Sequence, residues 1–263
     1  MSLKASLLFQ AKRLLSALGI SAFFFRKNPE SKHVVIDLMH WSRYQYPDYT
    51  TKLYETSMRA TKSESRDVFI KQCRYYITMQ AAYQVLDSDI PGQFVECGCW
   101  RGQSAHMMAT VLKDRESNRT LHVFDSFEGG LSDKTDEDKD QMANIDPETI
   151  RKEKESFSVT VEEVANNLKE FPFVSLHKGW IPEPFSAVEN ETFAFVYLDL
   201  DLYDPIKDSL EFFYPRLSDG GIIVVDDYAA SFWPGVKKSV DEFLEKNKAT
   251  LALETIGNMV ILK

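Results

Sequence analysis

From residue 93 onward the chain alternates short apolar runs with segments of helical spacing, and this alternation limits the fold more than any other feature. The predicted strands cover residues 94–97, 121–124, 173–176, 193–198 and 221–225, and the predicted helices cover residues 65–86, 104–112, 160–168, 204–217 and 234–244. Strands that are apolar throughout and separated by helices are typical of a parallel sheet covered on both faces. The residues after Thr250 add a C-terminal antiparallel hairpin that turns at Gly257 and Asn258. The sequence therefore predicts an α/β, Rossmann-like fold.

The first part of the chain lacks this alternation. Residues 1–64 predict an N-terminal helical arm or cap, and residues 65–263 predict the α/β domain. Within residues 1–27 a basic start precedes an apolar run that is too short to span a bilayer, so we expect no integral membrane span. A packed helix, a membrane-surface segment and a contact with a partner all remain open for this run, and homo-oligomers are among the expectations.

Residues 128–157 interrupt the alternation with many charges and few apolar side chains. Long loops in compact domains are usually lids, binding loops or disordered insertions. We predict an insertion that is either a lid over the strand ends or a solvated loop.

The composition narrows the class of protein. A formal net charge of −9 argues against a nucleic-acid partner, which would require a basic surface, and fits a small-molecule enzyme. Three cysteines supply no disulfide framework and indicate a reducing, cytoplasmic location. Cys97 and Cys99 have no suitably spaced partners for zinc, so small buried residues explain them better.

In parallel α/β sheets, ligands bind beyond the carboxyl ends of the strands. The turn from Glu96 to Gly102 follows the first predicted strand, and its glycines let the backbone approach a ligand closely. The acidic Glu96 suits a cationic ligand end such as an α-amino group. Asp125 ends the second strand, where an acid can accept both hydroxyls of a ribose. A plain tight turn and a helix-capping acid are the alternatives for these two features.

Two pairs of acids follow neighbouring predicted strands. Asp199 and Asp201 come after one strand, and Asp226 and Asp227 come after the next. Helix capping explains one acid at each strand end but not two adjacent pairs. Carboxylates that converge in this number repel one another unless a cation lies among them. Hard oxygen ligands favour magnesium or calcium, so the sequence predicts a metal site at this edge of the sheet.

Residues 94–243 resemble the macrocin O-methyltransferase family, whose members methylate sugar hydroxyls of macrolide and aminocoumarin antibiotics. The motifs that carry the resemblance are ECGCWRGQS at 96–104, DSFEG at 125–129, FSVTVEEV at 157–164, KGW at 178–180, LDLDLY at 198–203, the segment 220–228, PG at 234–235 and VDEF at 240–243. The sequence departs from the family where Gly129-Gly130-Leu131 replaces a usual Gly-Leu-Pro, and the first 90 residues match poorly. The acceptor is therefore left open.

The resemblance implies a class I methyltransferase that moves a methyl group from S-adenosylmethionine to a hydroxyl of a small, sugar-containing acceptor. It implies Asp199, Asp226 and Asp227 as magnesium ligands and Asp201 as the general base. The residues implied for S-adenosylmethionine are Glu96, Gly98, Trp100, Arg101, Gly102, Ser104, Asp125, Ser126 and Phe127.

Two alternatives are weighed against this hypothesis. A nicotinamide-dependent Rossmann oxidoreductase would require the full G-x-G-x-x-G fingerprint, which the turn after the first strand lacks. A non-catalytic binding protein of the same fold would have no reason to keep all four aspartates.

Overall fold

The computed structural model describes residues 48–128, 130–139, 147–228, 230 and 232–263. The predictions for residues 1–27, and most of the predicted N-terminal arm, lie outside these residues. In the part of the chain that is described, no helix combines the length and apolar character needed to cross a membrane.

Seven helices and seven strands make up the regular structure of the described residues, together with short 3-10 turns. The helices are α1 (Asp48–Ala60), α2 (Phe69–Asp87), α3 (Gln103–Asp114), α4 (Pro147–Ser156), α5 (Val161–Asn167), α6 (Tyr203–Arg216) and α7 (Pro234–Lys246). The strands are β1 (Gln93–Cys97), β2 (Leu121–Asp125), β3 (Val174–Lys178), β4 (Phe193–Leu198), β5 (Leu217–Val225), β6 (Leu251–Glu254) and β7 (Met259–Leu262).

The strands form one sheet in the order β3-β2-β1-β4-β5-β7-β6. Strands β1 to β5 run parallel, and β7 runs antiparallel to both β5 and β6. This arrangement confirms the predicted α/β class, the mostly parallel sheet and the C-terminal hairpin. The strand order changes direction between β1 and β4, and ligands of doubly wound sheets bind at such a switch point.

Two apolar clusters cover the two faces of the sheet. Alternate residues of β4 serve different clusters: Phe195 and Tyr197 pack with α2 and α3, whereas Val196 and Leu198 pack with α6 and α7. All six residues of β4 are buried, which explains why this strand reads as a continuous apolar run. The central strands β1, β2 and β4 are therefore enclosed along most of their length, whereas the edge strand β6 is exposed. The carboxyl ends of the central strands are the places where functional side chains can lie.

Three elements differ from the prediction. Helix α2 begins at Phe69 rather than residue 65, after a 3-10 turn. Strand β5 begins at Leu217, a residue predicted to be helical, because the register of β4 and β5 shifts and lets Leu217 pair with Phe193. Residues within the predicted loop 128–157 form α4, where charge pairs spaced by four residues support a helix that carries few apolar side chains.

Candidate active site

The turn after β1 lies directly against the chain that follows β4. Gly98 has a φ of +82°, and a Cβ atom on it would lie 1.9 Å from the carbonyl oxygen of Asp199. Only glycine fits this position without a shift of the backbone. Gly102 also has a positive φ, +84°, but a Cβ atom there would be 3.4 Å from its nearest neighbour, in Val164. Close approach at Gly98 thus brings the β1 turn and the β4 tip together.

Asp125 connects the tip of β2 to this turn. Its Oδ2 atom accepts hydrogen bonds from the backbone nitrogens of Cys99 and Trp100 at 2.9 and 3.2 Å, and its Oδ1 atom accepts from Phe127 at 3.0 Å. Carboxylate oxygens can accept more than one hydrogen bond each. Asp125 also lines a cavity and therefore remains available to a ligand.

Two cavities meet at the carboxyl ends of the strands. The first has a volume of about 420 Å³ and is lined by Gly98, Asp125 and Ser126 among others. The second, of about 490 Å³, is lined by the aspartates that follow β5 and by residues of α2. The residues that line both cavities are Trp100, Phe157, Asp199 and Asp201. Two ligands placed in these cavities would be neighbours.

The remaining residues implied for S-adenosylmethionine lie beneath or beside the turn rather than along the first cavity. Glu96 is fully buried and accepts a hydrogen bond from the Ser104 hydroxyl. Burial raises the pKa of Glu96 well above its usual value. The Arg101 guanidinium faces away, donating to the Lys62 carbonyl at 2.7 Å. Gly102 precedes the first residue of α3, and Phe127 is buried.

Three aspartates come together at the tips of β4 and β5. Asp199, Asp226 and Asp227 each offer a carboxylate oxygen, and these oxygens lie within 4.8 Å of one another. The parallel pairing of β4 with β5 places the acids that follow each strand at one edge. Burial, followed by the charge of Asp227, raises the pKa of Asp199 to about 6. Burial and the charge of Asp199 raise the pKa of Asp226 well above its usual value.

Asp201 lies beside this cluster, at the border of the two cavities. It is 7% exposed and has a φ of +62°, a left-handed backbone conformation that is uncommon for aspartate. Burial, with the charges of Asp199 and Asp227, raises the pKa of Asp201 well above its usual value. The structure thus brings together all four aspartates that the sequence singles out.

Arg74 is a site residue that the sequence analysis missed. From α2, its guanidinium forms ion pairs with Asp226 at 3.2 Å and with Asp227. The hairpin turn presses against it, since a Cβ atom on Gly257 would lie 2.8 Å from the Arg74 Cδ. The only signal was a basic residue next to the apolar positions of the predicted helix 65–86, which also contains Arg66 and Lys71. Arg74, together with the more distant charge of Lys71, only partly balances the charge of four neighbouring carboxylates.

Residues 36–262 match the model of the family described as macrocin-O-methyltransferase. The chain is 31% identical over 172 residues to the demethyldecarbamoylnovobiocin O-methyltransferase of Streptomyces niveus, covering 64% of this chain and 63% of that protein. It is 33% identical over 150 residues to the 8-demethyl-8-(2,3-dimethoxy-alpha-L-rhamnosyl)-tetracenomycin-C 4'-O-methyltransferase of Streptomyces olivaceus, covering 55% and 56%. The chain thus spans less than two thirds of the length of these relatives.

Among solved structures, the O-methyltransferase NovP superposes with a TM-score of 0.59 at 28% identity, covering 72% of this chain and 79% of that one. The superposition places the described α/β domain among class I O-methyltransferase folds. Neither the nicotinamide-dependent oxidoreductase nor the non-catalytic binding protein is favoured by these matches. The family match covers nearly all of the chain, including the turn after β1 and the aspartates after β4 and β5. The chain belongs to the macrocin O-methyltransferase family.

Proposed function

We propose that this protein transfers a methyl group from S-adenosylmethionine to a hydroxyl of a small, sugar-containing acceptor, with the help of a divalent cation. The observation that carries the proposal is the meeting of two cavities at Asp199 and Asp201. One cavity suits the methyl donor, and the other contains the carboxylates that could bind the cation and deprotonate the acceptor. Two of the relatives reported above are, by their names, O-methyltransferases of demethyldecarbamoylnovobiocin and of a rhamnosyl derivative of tetracenomycin.

The first cavity fits S-adenosylmethionine in size and chemistry. Its volume of about 420 Å³ lies within the range of about 300–1,000 Å³ that is usual for small-molecule sites. Asp125 would accept the ribose hydroxyls, and Gly98 and Ser126 would contact the cofactor from the β1 and β2 tips. Trp100, at the border of the cavities, supplies an apolar ring surface against which the cofactor could pack.

The aspartate cluster fits a hard divalent cation such as magnesium. Asp199, Asp226 and Asp227 supply oxygen ligands, which hard cations prefer. The raised pKa values of Asp199 and Asp226 reflect buried negative charge that Arg74 does not fully balance. A bound cation supplies positive charge that lowers the pKa of a nearby acceptor hydroxyl.

Asp201 would serve as the general base. A carboxylate oxygen of Asp201 would accept the hydroxyl proton as the acceptor oxygen takes the methyl group. S-adenosylmethionine would supply that methyl group and leave as S-adenosylhomocysteine. Burial, followed by the charges of Asp199 and Asp227, raises the pKa of Asp201. A cation bound by the neighbouring aspartates would offset this rise and keep Asp201 ionised, as a general base requires. Holding the reactants in adjoining cavities can contribute up to about 7–11 kcal/mol.

The insertion at residues 128–157 would act as a lid. Asp138 anchors its first part, because its Oδ1 atom accepts a hydrogen bond from the Tyr203 backbone nitrogen at 2.7 Å. Phe157, at the end of the insertion, lines both cavities. Closure over the two cavities would exclude water from the reacting atoms.

The proposal is tested by calorimetric titration with S-adenosylhomocysteine and NAD, followed by a methyl-transfer assay over a panel of sugar-containing acceptors with magnesium present. We expect binding of S-adenosylhomocysteine alone, and methyl transfer that Asp201→Asn abolishes without weakening cofactor binding. Asp219→Asn, at an exposed position in β5, is the matched control. Binding of NAD in place of S-adenosylhomocysteine would overturn the proposal.

A further inference from the structure

Within the described part of the chain, two of the cations that face the second cavity have no carboxylate in ion-pair contact. Arg66, Lys71 and Arg74 all line this cavity, on the side formed by the start of α2 and the turn before it. Arg74 is paired with Asp226 and Asp227, as described above. Across the residues that the structure describes, Arg66 and Lys71 form no ion pair with any carboxylate. Their charge is available to a molecule in the cavity.

Lys71 is unusually buried for a lysine, with 9% of its surface exposed. Its Nζ atom donates one hydrogen bond, to the Gln103 Oε1 at 2.9 Å. An ammonium group has three donors, so Lys71 can supply more hydrogen bonds. Burial lowers the pKa of Lys71 to about 8, although the charges of Asp199 and Asp226, which lie beyond ion-pair distance, oppose this effect. A buried ammonium without a paired anion is costly, which indicates that an anion completes its surroundings.

Arg66 and Lys71 both lie near the Trp100 ring, and the charge of Arg66 lowers the pKa of Lys71. The Arg66 Cζ atom is 5.0 Å from the centre of that ring, and the Lys71 Nζ atom is 5.8 Å from it. Arg66 also stacks over Phe157 at 4.1 Å and donates to the Ser156 hydroxyl at 2.8 Å. These contacts hold its guanidinium in place while leaving most of its donors unused. Two like charges held near one another in a cavity repel unless an anion separates them.

We propose that the acceptor carries an anionic group, a carboxylate or a phosphate ester, which binds to Lys71 and Arg66. The proposal rests on the proposed function, because it assumes that the acceptor occupies the second cavity. The carboxylate of the methyl donor is a less suitable occupant, since neither Lys71 nor Arg66 lines the cavity of Gly98, Asp125 and Ser126. The acceptor is thus an acidic or phosphorylated sugar compound rather than a neutral one.

Calorimetric titration of the full chain, saturated with S-adenosylhomocysteine and magnesium, tests this inference with three probes. Glucose is the neutral reference, glucuronate reports on a carboxylate, and glucose 1-phosphate reports on a phosphate ester. A hydrogen-bonded charge pair predicts that one anionic probe binds about 10- to 100-fold more tightly than glucose. Lys71→Met should remove most of this preference, and Arg66→Met, at a less buried position, should reduce it.

Lys113→Met is the matched control, because Lys113 lies on α3, pairs with Glu170 and lines neither cavity. It should keep the full preference for the anion. Equal binding of the three probes, or no binding of any, would refute the inference. If both Lys71→Met and Arg66→Met still bind the anionic probe more tightly than glucose, the anion binds to the metal, and the inference is likewise refuted. Weaker S-adenosylhomocysteine binding in Lys71→Met, with the anion preference unchanged, would place Lys71 at the cofactor instead. Failure of S-adenosylhomocysteine to bind the unmodified chain would contradict the proposed function itself.

Discussion

Replacing Gly98 by alanine tests whether close approach of the β1 turn to the β4 tip builds the site. The added Cβ atom would lie 1.9 Å from the Asp199 carbonyl oxygen, so the two backbone segments must separate by more than 1 Å to restore ordinary contact. A left-handed backbone costs a residue with a side chain about 1–2 kcal/mol, and overpacking adds about 1–3 kcal/mol. We therefore expect Gly98→Ala to lower the free energy of unfolding by about 2–5 kcal/mol.

Gly102→Ala is a matched comparison for this change. Gly102 has nearly the same φ, but its added Cβ atom would meet nothing closer than 3.4 Å. Only the backbone cost of about 1–2 kcal/mol applies there. Urea denaturation measures both variants, and the difference between them isolates the clash with Asp199. If the two variants lose equal stability, the close approach at Gly98 is not a constraint on the fold.

The same clash should affect catalysis in the fraction that folds. Asp199 is shared by both cavities, so its displacement changes the distance between the two reactants. A misplacement of about 1 Å can cost about 100-fold in rate. We expect kcat/KM to fall by about that factor in Gly98→Ala, measured well below its unfolding temperature. An unchanged kcat/KM in a destabilised Gly98→Ala protein would show that the tip of β4 adjusts without harm to the site.

Three further predictions concern aspartates of the site and of the insertion. Arg74→Met should destabilise the metal-free protein by about 3–5 kcal/mol, because Asp226 and Asp227 lose their buried counterion. Magnesium should raise the melting temperature of this variant and so restore part of the loss; an equal melting temperature with and without magnesium would contradict this. Burial raises the pKa of Asp199 to about 6, so this carboxylate gains a proton as the pH drops through 6. Magnesium affinity, measured by calorimetry, should therefore fall over the same range. A constant affinity from pH 7 to 5 would exclude Asp199 as a ligand. Gly235→Ala should loosen the insertion, since its Cβ atom would meet the Asp138 Oδ1 at 2.0 Å. Faster proteolysis of residues 130–139 should report the change, with Lys246→Ala, at an exposed position in the last turn of α7, as the comparison.

The strands could be predicted from their apolar runs. The positions of the acids after them could be predicted from the rule that parallel strands end at the same edge of a sheet. Phe193 to Leu198 is apolar at every position because both faces of β4 are covered, and this property is visible in the sequence. Parallel strands then bring their following residues to one edge, so Asp199 and Asp226 had to be neighbours. The rule does not say which side chain points into a cavity. Glu96 was expected at this edge, yet it lies within β1, fully buried in the core, and accepts a hydrogen bond from the Ser104 hydroxyl.

Lys71 and Arg74 could not be predicted, because their roles depend on where α2 lies along the sheet. The C-terminal half of α2 packs on the sheet through Met79, Ala82 and Val85, which are fully buried. Its N-terminal half runs beyond the strand tips, so residues three apart on one face of the helix reach the aspartates and the second cavity. From helical spacing alone, Lys71 and Arg74 are charged residues that interrupt the apolar face of the helix, and no role can be assigned to them. These basic residues begin where the helix passes from the sheet to the site. The positive charge of the second cavity therefore comes from α2 and the turn before it, while the negative charge comes from the residues that follow β4 and β5.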